Sequence, residues 1–181
     1  MIIYSSNPNF KPIELDIECN VRRLSCLELD EYVDVEDERL PGWAYLYALN
    51  IIKGRWRDIG KPEIEDVISK DPGYAYLYAR DILHCRWRDI GKPEVEDVIG
   101  KNPKWACYYA LITLDCRWRD IGKPEVEDII SRNPEWAHYY VKHILGCRWA
   151  NISKPEVEDI IGKNPRWAFE YYRYFKKCVG G

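Results

Sequence analysis

Little in this chain points to a membrane, a metal or a catalytic centre. No apolar run approaches the roughly 18 residues of a membrane span. The first residues lack the basic start, apolar stretch and small-residue cleavage site of a secretory signal. An intracellular, cytoplasmic protein is therefore expected, with no membrane partner. Basic residues are not in excess, 27 Lys and Arg against 30 Asp and Glu for a net charge of -3, which is not the footprint of a general nucleic-acid binder. Histidine is confined to His84, His138 and His143, and neither a Cys-x-x-Cys pair nor a glycine-rich phosphate loop occurs. His143 and Cys147 stand at the i, i+4 spacing of metal ligands on a helix, but two ligands do not make a site. With no convergent polar constellation, neither an enzyme nor a cofactor is expected. Phenylalanine is scarce as well: 3 Phe stand beside 14 Tyr and 8 Trp in 181 residues.

What the chain does have is a repeat. The string from Arg55 to Pro62 returns at Arg86 to Pro93 and Arg117 to Pro124, and decays to Arg148 to Pro155, at a fixed offset of 31 residues. Each copy continues as Pro-Glu-Ile/Val-Glu-Asp and then reaches Asp71-Pro72, Asn102-Pro103, Asn133-Pro134 or Asn164-Pro165. A degenerate copy of the second half opens at Leu40-Pro41.

Each unit predicts two helices. Proline at the first helical position loses no hydrogen bond, and Asp or Asn before it can cap the free N–H groups, so a helix is expected from Pro72 to about Cys85 and in each copy. A shorter helix starts at Pro62, with Glu63, Glu65 and Asp66 at the positive end of its dipole. Its apolar residues Ile64, Val67 and Ile68 form one buried stripe. Arg57 to Lys61 reads as a connector in which Gly60 supplies a positive φ.

The copies separate scaffold from surface. Ala75, Ala106, Ala137 and Ala168 share one position, Tyr78, Tyr109, Tyr140 and Tyr171 another, and Tyr74, Trp105, Trp136 and Trp167 a third. With Ile82 and Leu83 these form a stripe expected to pack on neighbouring helices. The opposite stripe varies: Gly73, Leu77, Arg80 and His84 become Lys104, Tyr108, Leu111 and Asp115, then Glu135, Tyr139, Lys142 and Gly146. A two-helix unit cannot bury its apolar face alone, so the expected fold is an all-α, right-handed α-solenoid of helix-turn-helix repeats. Residues 40–181 form the repeat domain, with five long and four short helices, and residues 1–39 an N-terminal cap. Alternation of Ile13, Leu15, Ile17, Cys19 and Val21, with Leu27 and Leu29 able to supply a partner strand, favours a small β element there, although Ile13, Ile17, Val21 and Leu24 also suit a helix face. At the other end, Glu170 in place of Tyr139 and Lys176 in place of Leu145 are expected to seal the array.

The Arg-Trp, Pro-Glu-Val/Ile-Glu, Asp/Asn-Pro and Trp/Tyr-Ala spacing over residues 41–178 resembles the short helical repeats of uncharacterised bacteriophage and large DNA virus proteins. In that pattern Trp directly precedes Pro-Glu, whereas here five residues, Arg57 to Lys61, intervene. The resemblance carries no catalytic residues. It implies a phage or viral protein acting in the host cytoplasm on a host factor.

Three features invite chemistry. Cys85, Cys116, Cys147 and Cys178 occupy one structural position; helix packing separates stacked units by about 8 to 10 Å, beyond the roughly 7 Å that a disulfide tolerates. They are expected to be reduced, buried and unpaired. Asp58, Asp89 and Asp120 form a carboxylate ladder that turn or capping roles explain. The third is a basic ladder, Arg55, Arg57, Arg86, Arg88, Arg117, Arg119 and Arg148, interleaved with Trp in a pattern that suits single-stranded nucleic acid. Against it, Glu63, Glu65 and Asp66 can neutralise the arginines within their own repeat, and Trp56 and its copies suit the core. The favoured reading is a protein-binding scaffold that uses Leu77, Arg80, His84, Tyr108, Leu111, Asp115, Tyr139 and Lys142. Nucleic-acid binding through the arginines and a structural role in a virion are the alternatives.

Overall fold

A computed structural model describes residues 40–179 together with two short strands, β1 (Ile2–Ile3) and β2 (Ile13–Glu14). Two compact units divide the chain, Met1–Leu83 and His84–Gly181. In the first, β1 and β2 pair antiparallel, Ile2 opposite Glu14 and Ile3 opposite Ile13. Ile13 lies in this pair, but the other strand is Ile2–Ile3, a segment the alternation does not single out. The positions from Leu15 to Val21, Leu24, and those from Leu27 to Leu29, fall outside the described residues.

The rest is helix in a repeating pattern, so the fold class is all-α with repeats of about 31 residues. The first unit holds α1 (Leu40–Tyr47), α2 (Pro62–Ile68) and α3 (Pro72–Tyr78). The second holds α4 (Glu94–Gly100), α5 (Pro103–Tyr109), α6 (Pro124–Ser131), α7 (Pro134–Tyr140), α8 (Glu156–Gly162) and α9 (Pro165–Val179). The even-numbered helices are the short ones of each repeat. Their starts and stops follow from local chemistry. Asp71 Oδ1 accepts from the N–H groups of Gly73 and Tyr74 at 2.8 and 2.9 Å, and Asn102, Asn133 and Asn164 cap α5, α7 and α9 in the same way. The short helices bury Ile64, Val67 and Ile68 in α2, Val95 and Ile99 in α4, Val126 and Ile130 in α6, and Val157 and Ile161 in α8.

Two local structures depart from the expected pair of plain helices. The helix predicted to run to about Cys85 stays α-helical only to Tyr78, then widens into a π turn over Ala79–Leu83. The same happens at Ala48–Ile52, Ala110–Leu114 and Val141–Leu145. A π turn winds fewer degrees per residue than an α turn, so Ile82 and Leu83 fall off the buried stripe and are only half-buried. Each π turn ends on a left-handed residue: Lys53, His84 and Asp115 at φ of 54, 53 and 52°, and Gly146 at 65°. Only the last is glycine, so the other three carry a backbone cost of roughly 1 to 2 kcal/mol each. The connector is itself ordered as a 3-10 turn, Trp56–Ile59, repeated at Trp87–Ile90, Trp118–Ile121 and Trp149–Ile152. Gly60, Gly91 and Gly122 close three of these turns at φ of 80 to 82°, and Ser153 closes the fourth at 65°. The aspartates of the connector act as caps: Asp89 and Asp120 accept from the backbone N–H groups of Arg86 and Arg117.

The tryptophan that opens each 3-10 turn is the centre of the core. Trp118 is fully buried. Its indole N–H donates to the Ala106 carbonyl on α5 at 2.9 Å, and its backbone N–H donates to the Tyr140 hydroxyl on α7 at 3.2 Å. Its ring stacks on Tyr109 with centroids 5.6 Å apart. Trp149 joins α7 to α9 through Ala137 and Tyr171, and Trp56 joins α1 to α3 through Ala44 and Tyr78. One ring thus bolts two successive long helices.

The other tryptophans are placed differently from the sequence expectation. Trp105, Trp136, Trp167 and Tyr74 are half-buried, not sealed in a joint. Their position on the helix lies at the edge of the packed stripe, where one side of the ring meets solvent. Cys85, Cys116 and Cys147 are likewise half-buried where burial was expected, while Cys107 is buried, and Cys107, Cys116 and Cys147 are free thiols. Substituting Trp118 with Ala should therefore cost about 3 to 5 kcal/mol, and Trp136→Ala distinctly less. Chemical denaturation of both variants measures the difference, and equal losses would contradict the placement of the two rings.

Candidate functional site

The arginine ladder resolves into two classes. Arg117 makes a forked pair with Glu127, Nε to Oε1 at 3.0 Å and Nη2 to Oε2 at 2.9 Å. Glu127 is fully buried, and its Oε1 also accepts from the Tyr140 hydroxyl at 3.2 Å. Arg55 with Glu65 and Tyr78, Arg86 with Glu96 and Tyr109, and Arg148 with Glu158 and Tyr171 repeat the arrangement. Burial pushes the ionisation of Tyr78, Tyr109, Tyr140 and Tyr171 well above the ordinary phenol value, so each stays a donor. Arg55, Arg86 and Arg117 are thereby held largely covered in the scaffold, whereas Arg148 makes the same pair from an exposed position. Arg57, Arg88 and Arg119 are exposed, and Arg57 and Arg119 approach the same carboxylates only at 4.0 and 3.9 Å. Trp56, Trp87, Trp118 and Trp149 are buried, so they offer no ring face on which a base could stack.

The long helices present a different surface. In the second unit Tyr108 on α5 meets Tyr139 on α7 edge to face, with centroids 5.6 Å apart. Trp105 and Trp136 complete a cluster: Tyr108 lies 6.0 Å from Trp105 and 5.7 Å from Trp136, and Trp136 lies 5.6 Å from Tyr139. His143 extends it, 4.3 Å from Tyr139, and Lys104 places its ammonium 4.3 Å from the Trp105 ring centre. All four Trp and Tyr rings are half-buried. Leu111 is half-buried beside them in sequence, and Asp115 and Lys142 are exposed.

Of the residues proposed from sequence, Tyr108 and Tyr139 are therefore brought together. His84 and Asp115 instead end π turns in the left-handed conformation, a backbone role that the regular α-helical stripe does not foresee. In the first unit Leu77 is half-buried. Arg80 there is tied to its neighbour Asp81 at 2.6 and 2.7 Å and lies 5.4 Å from the Tyr76 ring centre. Asp81 also accepts from the Tyr45 hydroxyl at 2.6 Å. Sequence reasoning missed Trp105 and Trp136 because a fixed aromatic position reads as core. Their neighbours Lys104 and Glu135, which differ in charge between copies, were the available sign that this position borders solvent.

Among the described residues no group of three or more His, Cys, Asp or Glu side chains could hold a metal ion. His138 is buried at the contact of α7 with α9, stacked on Trp167 at 5.8 Å, and its Nδ1 has no hydrogen-bond partner. Burial, reinforced by the charge of Lys142, holds its pKa below the ordinary 6.5.

Two expectations follow. Glu127→Ala should destabilise by about 3 to 5 kcal/mol, because it strands the largely covered Arg117; a loss under about 1 kcal/mol in denaturant titration would show the pair to be dispensable. For His138, whose folded-state pKa is depressed, stability is intact above the unfolded pKa and falls as pH drops below it, since the unfolded chain then takes up the proton more readily. The fall in Tm between pH 7.5 and 5 should shrink in His138→Phe, and an unchanged fall would count against this role. No family model, curated protein or solved structure matches this chain, so no residue role is carried over from a relative.

Proposed function

We propose that this chain is a non-enzymatic repeat scaffold that binds another protein through the exposed face of its long helices. The cluster of Trp105, Tyr108, Trp136 and Tyr139 carries the reading. Half-buried Tyr and Trp rings beside charges of both signs are the side chains that dominate protein interfaces, because they cover large area at little entropic cost. The positions of Tyr108 and Tyr139 are held by Leu77 and Glu170 in other copies, so this part of the face is not needed to build the repeat. The arginines support the same reading from the other side, since four of the seven are committed to carboxylates. The resemblance to phage and viral repeats extends the proposal to an intracellular protein that engages a host factor.

Capture from the host lysate, with and without nuclease, tests the proposal. A protein partner should survive nuclease and remain bound when Arg57, Arg88 and Arg119 are all replaced by Ala. Tyr108→Ala and Tyr139→Ala should each weaken it by about 2 kcal/mol, roughly 30-fold, and changes at Leu111 and Lys142 should weaken it too. A generic oligonucleotide bound at micromolar or tighter affinity, with a steep loss in salt and in the triple Arg variant, would overturn the proposal in favour of phosphate recognition.

A further inference from the structure

At the start of α5, α7 and α9 an exposed charged residue precedes the ring that borders solvent: Lys104 before Trp105, Glu135 before Trp136 and Arg166 before Trp167. In two of the three the charge covers its ring. The Lys104 ammonium lies 4.3 Å from the centre of Trp105, and the Arg166 guanidinium carbon 4.7 Å from that of Trp167. Both are contacts of a cation with the electron-rich face of an indole. At Trp136 the corresponding residue is a carboxylate, which that face repels. Among the described residues no cation rests on Trp136 and none pairs with Glu135.

Trp136 lies in the interior of the array. Its helix is held to α5 by the Cys107 thiol, which donates to the Trp136 carbonyl at 3.6 Å, and to α9 by His138 stacked on Trp167 at 5.8 Å. Lys104, Glu135 and Arg166 therefore run across three neighbouring helices in the order positive, negative, positive, with about 8 to 10 Å between helices. Arg132 and Lys142 are exposed on either side of Glu135 in sequence, and neither comes within ion-pairing distance of it. A basic residue also stands at the position of Arg132 in the copies with covered rings, as Lys101 and Lys163, so it is not what sets the middle copy apart. The middle copy differs in pairing an open indole face with an unpaired carboxylate. It is also the ring on which Tyr108 and Tyr139 converge, at 5.7 and 5.6 Å.

We propose that the protein partner supplies the missing cation: an arginine laid on Trp136 and forked onto Glu135, with an acidic residue on either side of it facing Lys104 and Arg166. The proposal rests on the reading of the aromatic cluster as a protein-binding face and names the chemistry of what binds there. Arginine meets both requirements at once, because its guanidinium plane stacks on the indole while its edge donates two parallel N–H bonds to the carboxylate; a lysine ammonium is a more strongly hydrated point charge without that edge. The spacing fits an extended segment. In a polyproline II chain, residues three apart share one side and stand about 9 Å apart, which is the distance between the helices that carry the three charges. The complementary order is thus acidic, two residues, arginine, two residues, acidic. A phosphate backbone, negative throughout, offers nothing to Glu135.

The probe is the peptide Glu-Pro-Pro-Arg-Pro-Pro-Glu, blocked at both ends and titrated to about 5 mM into the full chain while NMR follows the indole N–H signals, that of Trp136 being the one lost in Trp136→Phe. The Trp136 signal should move most, with a dissociation constant of about 1 mM or tighter. Glu135→Gln, and citrulline in place of the peptide arginine, should each weaken binding at least about 5-fold. Glu135→Lys, which gives the ring its own cation as in α5 and α9, should abolish it, with helical circular dichroism unchanged in both variants. No shift at the highest concentration overturns the proposal. So does a smaller loss in Glu135→Gln or with the citrulline peptide, or equal affinity for the charge-reversed peptide Arg-Pro-Pro-Glu-Pro-Pro-Arg. The partner captured from lysate separates this proposal from the reading beneath it: loss in Tyr108→Ala but not in Glu135→Lys overturns the arginine and leaves the protein-binding face, whereas retention in both overturns the face itself.

Discussion

A carboxylate with no access to water organises three of the four repeats. Glu65, Glu96 and Glu127 are fully buried, and each is met by a forked arginine and a tyrosine hydroxyl. The tyrosine in turn receives the backbone N–H of the tryptophan that follows the arginine. The chain from guanidinium to carboxylate to phenol to backbone fixes the short helix, the 3-10 turn and the long helix relative to one another, and leaves the tryptophan ring pointing at the preceding long helix in each case where its acceptor is Ala44, Ala106 or Ala137. Apolar contacts alone do not dictate such an arrangement, because they are not directional. A buried ion pair adds little net stability over an apolar substitute. Its contribution here is geometric: only one rotation of each element lets all four groups meet.

That network also explains how much of the fold was legible in the residues. The period, the proline and aspartate or asparagine starts, the apolar stripe of Ile64, Val67 and Ile68, and the positive φ of Gly60 are local properties, and each is realised. The presence of compensating charge was legible too, but Glu63, Glu65 and Asp66 are chemically equivalent on paper. Glu65 is selected because it lies one helical turn before Ile68, on the face turned to the core. The π turns were not legible. Five residues are too few for a hydrophobic period to distinguish a wide turn from an α turn, and Lys53, His84 and Asp115 are not residues that announce a left-handed backbone. The left-handed backbone of His84 and Asp115, which follow such turns, was hidden for the same reason.

The two sets of tryptophan illustrate why position within a repeat does not by itself distinguish core from surface. Trp118 and Trp136 both recur every 31 residues. The first is enclosed on all sides because both its N–H groups are bound inside the protein; the second leans on Tyr108 and Tyr139 and keeps one side in water. Recurrence identifies what the fold reuses, whether as a bolt or as a platform.

The span of the ion pair has a consequence for how such a chain can change over generations. Each arginine and its glutamate are separated by ten residues and belong to one repeat. Excising or duplicating a segment of one full period, cut at equivalent points, removes or adds the charge and its partner together. No buried carboxylate is orphaned by such an event, whereas a gain or loss of a few residues between Arg117 and Glu127 would strand one. The length of the array is therefore free to drift in whole steps while the interior of each step is held under strict charge balance.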